Sequence, residues 1–249
     1  MVGSAVVYLG LIITTSGLAL LVKPNRRLRI PGRSRAVMVA AAGFLLTTAG
    51  LSLPAPESRV SRVNMRLDQF APVWQFSEFH TITIAAPSAR VFEAIERVRA
   101  DEIFLFRTLS WIRRGGQRLP ESILNAGEHE SLIDVATRSG FVRLAYDFPR
   151  ELVIGTVVMA PPGTRGPVTP QIFQTPLAAG FALASMNFVV TPDGAGGSVV
   201  STETRVYANS PSARRRFAAY WRVIYPGSAI IRRMWLRAVQ RRATSPSGM

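Results

Sequence analysis

The 249-residue sequence predicts an α+β domain preceded by two membrane-spanning helices, and three observations support this prediction. The first 53 residues contain two long apolar runs and no acidic residue. The central part mixes segments of alternating apolar and polar residues, typical of strands, with short amphipathic helices. From Pro211 onward, the sequence has the 3.6-residue periodicity of one long amphipathic helix.

The charge distribution divides the chain into three parts. Residues 1–56 carry six cations and no acid, residues 57–211 carry fifteen of each, and residues 212–249 carry nine cations and no acid. All cations except Lys23 are arginine, which indicates GC-rich codon usage and says little about partners. A composition of 48% hydrophobic residues without cysteine excludes a disordered tail, a collagen-like fibre and a disulfide scaffold.

Two uncharged runs, residues 2–22 and 36–53, predict a transmembrane helical hairpin over residues 1–53. Each run is close to the roughly 20 residues that cross a hydrocarbon core of about 30 Å. Two alternatives remain open. One is a cleaved signal peptide, although residues 1–4 lack its usual basic region; the other is a pair of buried helices in a soluble core.

Glycines recur at a spacing of seven residues in both runs, with Gly10 and Gly17 in the first and Gly43 and Gly50 in the second. This spacing places small residues on one helix face, where two backbones can approach closely. The simplest interpretation is that the hairpin packs on itself. Dimerisation through the same face is the alternative, so the sequence does not specify the oligomeric state.

The loop between the two runs, residues 23–35, contains six cations and no acid. The positive-inside rule therefore predicts that this loop is cytoplasmic. With two spans, everything after Pro54 is then extracytoplasmic. We expect a multi-pass protein of the bacterial cytoplasmic membrane, with the lipid bilayer as one of its partners.

The remaining chain divides into a tether, a folded domain and a tail. Residues 54–73 contain three prolines and little periodicity, which predicts a tether. The domain is predicted over residues 74–243, with a disordered tail at 244–249. Within the domain, strands are predicted at 76–85, 141–148, 151–158, 181–191 and 199–207, and helices at 87–98, 101–112, 131–138 and from 211 with a break or kink at Pro226-Gly227. Residues 160–179, rich in proline and glycine, are expected to edge an opening.

This order of elements is similar to that of the START, Bet v 1 and polyketide-cyclase-like superfamily (SRPBCC), and four stretches strengthen the resemblance. They are FHTITIAAPSARVFEAI, GFVRLAYDFPRELVIGTVV, MNFVVTPDG and STETRVYANSPSARRRFAAYWRVIYPGSAIIRRMWLRA, which resemble membrane-anchored bacterial members. The resemblance covers residues 75–243 and implies the helix-grip fold, a curved antiparallel sheet around a long C-terminal helix. It also implies a hydrophobic cavity between sheet and helix for lipids, sterols, polyketides or other apolar ligands. It does not imply one reaction, because members carry, transfer, sense or modify their ligands.

Few residues in the chain are suited to catalysis. There are two histidines, no thiol, and no spacing typical of zinc, nucleotide or nucleophilic-serine sites, so we expect no metal and no cofactor. The candidate acid or base is His80, which shares a strand face with Glu78 and Ile82. That face should line the cavity, where a polar group would orient or protonate a ligand. The alternative is a histidine at a strand end that is hydrogen-bonded to the backbone or half exposed.

A second candidate cluster lies on two predicted hairpin strands, with Glu203, Arg205 and Tyr207 at alternate positions and Asn187 on the partner strand. If these residues face inward, Arg205 paired with Glu203 would bind an anionic or polar head group. The alternative is an exposed charge ladder, with the opposite face of residues 199–207 lining the cavity.

The terminal helix contributes two aromatic candidates, Trp221 and Trp235, which are expected to wall the core or cavity. Its nine arginines have three interpretations: a solvated outer face, attraction to anionic lipid head groups, or nucleic-acid binding. The third requires a cytoplasmic domain, against the loop charge, so we expect no nucleic-acid partner.

Taken together, these features predict a membrane-anchored binding protein that holds a hydrophobic or amphipathic, lipid-like ligand in a helix-grip cavity, for carriage or sensing. One alternative is a cyclase-like or dehydratase-like enzyme that uses His80 on a hydrophobic substrate. The other is a membrane interaction module without a ligand.

Overall fold

The computed structural model describes residues 2–23, 32–117, 122–127, 129–164 and 166–245. The predictions for most of the basic loop and for the last four residues of the tail lie outside these residues.

The chain forms two compact units, one of residues 1–55 with 215–226 and one of residues 56–214 with 227–249. The helices are α1 Val2–Val22, α2 Arg33–Ser52, α3 Leu67–Phe70, α4 Ser88–Arg97, α5 Phe106–Arg113, α6 Leu132–Arg138 and α7 Pro211–Thr244, and the strands are β1 Ser58–Arg59, β2 Val73–Trp74, β3 Phe76–Ile84, β4 Phe141–Asp147, β5 Glu151–Met159, β6 Ala182–Pro192 and β7 Ser198–Ala208.

In the first unit, α1 and α2 pack against each other at the predicted glycines. A Cβ atom added to Gly10 would lie 2.4 Å from Thr47 Oγ1 and 2.8 Å from Gly43 O. A Cβ atom added to Gly17 would lie 2.4 Å from Ala40 N. The helices approach so closely because no side chain separates their backbones at these positions.

The outward surfaces of α1 and α2 are apolar. Large side chains such as Ile12, Phe44 and Leu45 are 60–66% exposed. Both helices are long and apolar enough to cross a membrane. A signal sequence has a similar length and composition, so the membrane span itself stays a prediction.

Residues 215–226 of α7 belong to the same unit as the hairpin. Tyr8 Oη donates a 2.6 Å hydrogen bond to Val223 O. The Arg222 guanidinium donates to the carbonyls of Leu51 and Leu53, so a cation satisfies acceptors at the C-terminal end of α2.

The second unit is built on a five-stranded antiparallel sheet in the order β3-β7-β6-β5-β4. The prediction of an α+β domain with an antiparallel sheet and a long C-terminal helix is confirmed. All five predicted strands are present, and the β6–β7 turn is fixed by Asp193 Oδ1, which accepts from the backbone N–H groups of Ala195 and Gly197.

One helical prediction needs correction. The helix predicted over 101–112 is interrupted at Leu105, whose φ of 61° cannot continue a right-handed helix, so a 3₁₀ turn at Ala100–Glu102 precedes α5. Helix α7 was predicted to break or kink at Pro226-Gly227; it runs unbroken through Pro226, and a kink there stays a prediction.

One sheet face, called here the grip face, carries His80, Thr202, Phe188 and Leu152 in register. The C-terminal part of α7 packs on it, with the Trp235 ring centred 5.1 Å from that of Phe188. Together with α4 and α6, this arrangement buries the main hydrophobic core.

The opposite sheet face, called here the outer face, carries Glu203, Asn187 and Val153 in register. The sequence assigned residues 54–73 to a tether, but much of this stretch is folded. Strand β1 pairs with β2, and α3 buries Leu67 in a small apolar cluster with Ala71 and Val153. This segment therefore covers part of the outer face, whereas Phe79 of β3, which pairs with Glu203, stays 59% exposed.

Candidate functional site

The grip face contains a buried polar cluster at the edge strand β3. Residues two apart on a strand share a face, which places Glu78 and His80 side by side. His80 Nε2 lies 2.7 Å from Glu78 Oε1, and Ser228 Oγ of α7 donates to Glu78 Oε2 at 2.8 Å. Glu78 is only 3% exposed, so both carboxylate oxygens are held by neighbouring side chains in a shielded setting.

Arg232 lies one helical turn after Ser228 on α7 and is the unusual member of this cluster. Its Nη1 is buried and has no hydrogen-bond partner among the described residues. Burial is the main reason that the pKa of Arg232 is lowered to about 10; attraction to Glu78 opposes this shift, and repulsion from Arg113 adds to it. The guanidinium carbon lies 5.4 Å from the centre of the Trp235 ring.

Trp235 provides a second unsatisfied donor beside Arg232. Its indole Nε1 is buried and finds no acceptor among the described residues, although the residue is only 2% exposed. Buried donors are normally hydrogen-bonded, and leaving one unpaired costs about 1–3 kcal/mol, more when it is charged. Arg232 Nη1 and Trp235 Nε1 are therefore two buried donors without an acceptor among the described residues.

The outer face also buries an arginine, but this one is fully paired. Arg205 Nη1 donates to Asp68 Oδ1 at 2.7 Å and to the carbonyl of Ala71, while Nε and Nη2 bind the two oxygens of Glu203 at 2.8 and 3.0 Å. Its guanidinium carbon lies 4.0 Å from the centre of the Trp74 ring. Arg205 thus ties the segment around α3 to the sheet.

The electrostatics of this network follow from the same contacts. Burial alone would raise the pKa of Asp68, but hydrogen bonds from the backbone of Asn64 and Met65 and from Arg205 outweigh it, so the pKa lies below its ordinary value. Burial likewise opposes the charged form of Arg205, but Glu203 and Asp68 raise its pKa.

Asn187 links this network to β5. Its Nδ2 donates to Glu151 Oε1 at 2.8 Å, and its Oδ1 accepts from the backbone of Glu203 at 3.0 Å. Glu151 in turn accepts from the backbone N–H groups of Arg66 and Leu67 at the start of α3. The polar groups of the outer face are therefore used to hold the covering segment.

Beside this network, the outer face borders a cavity of about 360 Å³, called here the outer cavity. Its floor includes Leu183, Ser185 and Tyr207 of the sheet, and its walls come from residues 70–73 and 172–181. The second wall includes part of the stretch that was expected to edge an opening. The lining residues are Phe70, Ala71, Pro72, Val73, Ile172, Phe173, Thr175, Pro176, Leu177, Phe181, Leu183, Ser185, Tyr207 and Asn209.

The structure separates the residues that the sequence grouped as ligand-binding. His80 and Trp235 lie on the grip-face side, whereas the other strand residues face outward; their ligand-binding roles stay predictions. Trp221 belongs to the unit of the hairpin, where its ring is centred 5.9 Å from Phe217 and 5.8 Å from Tyr225. The outward-facing residues are Asn187, Glu203, Arg205 and Tyr207.

Three residues of these networks, Ser228, Arg232 and Asp68, were not predicted from the sequence. One available signal was the position of Arg232, three residues before Trp235 and therefore within the apolar stripe of α7. Among the described residues, no three His, Cys, Asp or Glu side chains converge as metal ligands would.

No protein-family model matches the chain, and no curated protein matches it either. Solved structures with similar folds include the di-domain ARO/CYC BexL from the BE-7585A biosynthetic pathway, at 14% identity and a TM-score of 0.33. That match covers 86% of this chain, which spans only 58% of the other. A protein from Thermus thermophilus has 11% identity over 68% of this chain and 97% of its own, with a TM-score of 0.27. Ara h 8.0201 has 10% identity to this chain, the match covers 64% of this chain and 97% of Ara h 8.0201, and the TM-score is 0.19. Such values say nothing about a ligand or a reaction.

Proposed function

We propose that the protein is a membrane-anchored binding protein whose second unit holds a hydrophobic or amphipathic, lipid-like molecule against the grip face, for carriage or sensing. The observation that supports this most directly is the pair of buried donors that have no acceptor among the described residues, Arg232 Nη1 and Trp235 Nε1. A carboxylate, phosphate or carbonyl oxygen of a ligand would satisfy both.

The neighbouring carboxylate does not fill this role. Glu78 attracts Arg232 but gives its hydrogen bonds to His80 and Ser228. Buried apolar side chains, Phe188 and Met186 among them, lie on the same face. A site of this kind, apolar with a few fixed polar groups, suits a molecule with an apolar body and one oxygen-bearing end.

The hairpin supports the membrane part of the proposal. Helices α1 and α2 expose apolar surface along lengths that fit a bilayer, and the second unit begins directly after them in the chain. With the basic loop in the cytoplasm, the ligand-binding unit is extracytoplasmic in a bacterial cytoplasmic membrane. A lipid-like ligand would then be drawn from the membrane that anchors the chain.

Ligand binding can be tested on the full chain in lipid nanodiscs by native mass spectrometry. We expect a one-to-one adduct with a co-purifying molecule or with added oleic acid, and a weaker one with oleyl alcohol. Arg232→Gln should weaken the oleic acid adduct roughly tenfold to a hundredfold, because it removes a charge-assisted hydrogen bond. Arg237→Gln, an exposed arginine on the same helix, is the matched control. A chain that carries no molecule and binds neither probe would overturn the proposal.

Membrane topology can be tested with single cysteines, since the chain has none of its own. Ser34→Cys marks the end of the basic loop, and Ala195→Cys marks an exposed turn of the second unit. In intact spheroplasts, an impermeant maleimide should label residue 195 and reach residue 34 only after permeabilisation. Loss of the chain from membranes in alkaline carbonate would contradict anchoring.

A second function, acid–base catalysis, is favoured by one specific observation, the buried pair of His80 and Glu78. A carboxylate that orients an imidazole is a common device for general acid or base catalysis. If the protein is an enzyme, the molecules that co-purify with His80→Ala should differ in composition from those of the wild type, because substrate accumulates. A carrier should contain the same molecules in both.

A further inference from the structure

The outer cavity lies on the opposite side of the five-stranded sheet from Arg232, so it is separate from the site of the proposed function. Its volume of about 360 Å³ is in the range of small-ligand sites. The residues around it fix its shape and determine which kind of molecule it can bind.

The walls of the outer cavity are held in place from three directions. Asn209 Oδ1 accepts from the backbone of Gly180 and Phe181, and its Nδ2 donates to the carbonyls of Leu177 and Ala178. This side chain therefore fixes the loop that forms one wall, and its own polar atoms are fully used.

The other walls are equally constrained. Phe173 lies directly over Gly155, where an added Cβ atom would be 2.5 Å from Phe173 Cζ. Arg205 donates to the carbonyl of Ala71, which fixes the wall formed by residues 70–73. A cavity with fixed walls loses little conformational freedom when a ligand binds.

The sheet contributes two hydroxyl groups to the lining of this mainly apolar space. Ser185 is 2% exposed, Tyr207 is half-buried, and both line the outer cavity. Neither hydroxyl makes a hydrogen bond to another described residue, whereas Thr175, which also lines the cavity, donates to Gln171 O. Ser185 pairs with Arg205 and Leu183 pairs with Tyr207, so the two hydroxyl-bearing residues are diagonal neighbours on one face.

These features define the chemistry of an occupant. Among the described residues, no charged side chain lines the outer cavity, so a neutral molecule is favoured. A cavity of about 150 Å³ accepts benzene, so one of more than twice that volume accommodates a molecule of about two rings. Either of the two hydroxyls can donate to an oxygen on that molecule.

We propose that the outer cavity is a second ligand site, for a neutral, mainly apolar molecule of about two rings that bears a carbonyl or ether oxygen. Ser185 and Tyr207 bind the oxygen, and Phe70, Phe173 and Phe181 contact the rings. This site is independent of the ligand proposed for the grip face, since the two share no residue.

Benzophenone is a suitable probe, because it has two rings and a carbonyl and inserts into neighbouring C–H bonds under ultraviolet light. The full chain in nanodiscs is irradiated at increasing benzophenone concentration, and the labelled residues are located by tandem mass spectrometry. We expect saturable labelling within residues 70–73 and 172–183. Labelling on α7 near Trp235 would instead report the grip face, which keeps the two proposals distinguishable.

Two variants sharpen the experiment. Tyr207→Phe removes one hydroxyl and should raise the half-saturating concentration about twofold to tenfold, as expected for one hydrogen bond. Leu183→Trp should fill the outer cavity and abolish saturable labelling there, while Arg237→Gln should leave it unchanged. Labelling that rises without saturation, is confined to the hairpin helices, or is unaffected by both cavity variants would overturn the proposal.

Discussion

The two faces of the sheet bury the same kind of charge in opposite ways. On the outer face, Arg205 donates to Asp68, Glu203 and a backbone carbonyl and lies over an aromatic ring. On the grip-face side, Arg232 lies beside Trp235, but its buried Nη1 has no acceptor among the described residues. One guanidinium is saturated by the protein, and the other is not.

This difference separates a structural arginine from one suited to a ligand. Its carboxylate partners raise the pKa of Arg205 despite burial, whereas at Arg232 burial outweighs the attraction of Glu78 and the pKa is lowered to about 10. Paired charges hold a fold together, while an unpaired buried charge costs stability and requires another explanation. Variants at Arg205 and Arg232 can test whether the two arginines differ in this way.

The largest effect is expected for Arg205→Gln, which leaves Asp68 and Glu203 without their shared partner. Breaking a buried ion pair by removing one member costs about 3–5 kcal/mol in the free energy of unfolding. Urea denaturation of the full chain in detergent micelles, followed by tryptophan fluorescence, measures this loss. Arg237→Gln, which removes an exposed guanidinium, should change it by less than about 0.5 kcal/mol. Equal effects from both variants would refute the structural role of Arg205.

The sequence predicts a region well where its residue pattern is compatible with only one kind of structure. The hairpin and the five strands are predictable because uncharged runs near 20 residues and period-two alternation have few alternatives. The helix over 101–112 was predicted as one element because composition does not reveal the left-handed backbone of Leu105. The correct predictions of the hairpin and the strands, and the wrong prediction of the helix over 101–112, all depend on local sequence.

The candidate site depends on packing between distant segments, which the sequence alone does not reveal. Alternation shows that β7 has two faces, but it does not show that residues 64–74 pack on one of them. That packing depends on contacts of Leu67 and Asp68 with residues more than 80 positions away in the sequence. Position within an apolar stripe marks Arg232 as unusual, yet only the packed structure shows that its Nη1 has no acceptor in the part of the chain that the structure describes.

A smaller effect should appear when the same ion pair is titrated instead of mutated. The pKa of Asp68 is lowered in the folded chain, so its contribution to stability is fully present above the unfolded value of about 3.9 and is lost as the pH falls through the folded value. The loss is smaller than for Arg205→Gln, since the guanidinium keeps its contacts with Glu203.

Urea denaturation at pH values from 6 down to 3 measures this contribution. The free energy of unfolding should fall more steeply with decreasing pH in the wild type than in Asp68→Asn, which cannot titrate at this position. Parallel profiles for the two chains would show that Asp68 titrates alike in the folded and unfolded states, contrary to its network of hydrogen bonds.

Gly155→Ala should destabilise the outer face by about 1–3 kcal/mol, the usual cost of overpacking. The new methyl group would lie 2.5 Å from Phe173 Cζ and 2.7 Å from Leu144 Cδ1, so both side chains must move. Gly127→Ala is the matched control, since nothing lies within 4 Å of its added Cβ atom. Thermal unfolding of both variants, followed by circular dichroism, decides the point, and similar midpoints would mean that Phe173 moves freely.

The smallest expected effect has the opposite sign. Arg232→Met keeps much of the side-chain volume but removes the desolvated charge, so the ligand-free chain should gain about 1 kcal/mol in the free energy of unfolding. Urea denaturation after delipidation measures this gain, and Arg233→Met, at an exposed position next in the helix, is its control. A loss comparable to that of Arg205→Gln would mean that the fold itself depends on Arg232, and the contrast between the two sheet faces would no longer mark a ligand site. A gain in stability together with a loss of oleic acid binding would assign Arg232 to the ligand, because a residue retained at a cost to the fold must be explained by something it binds.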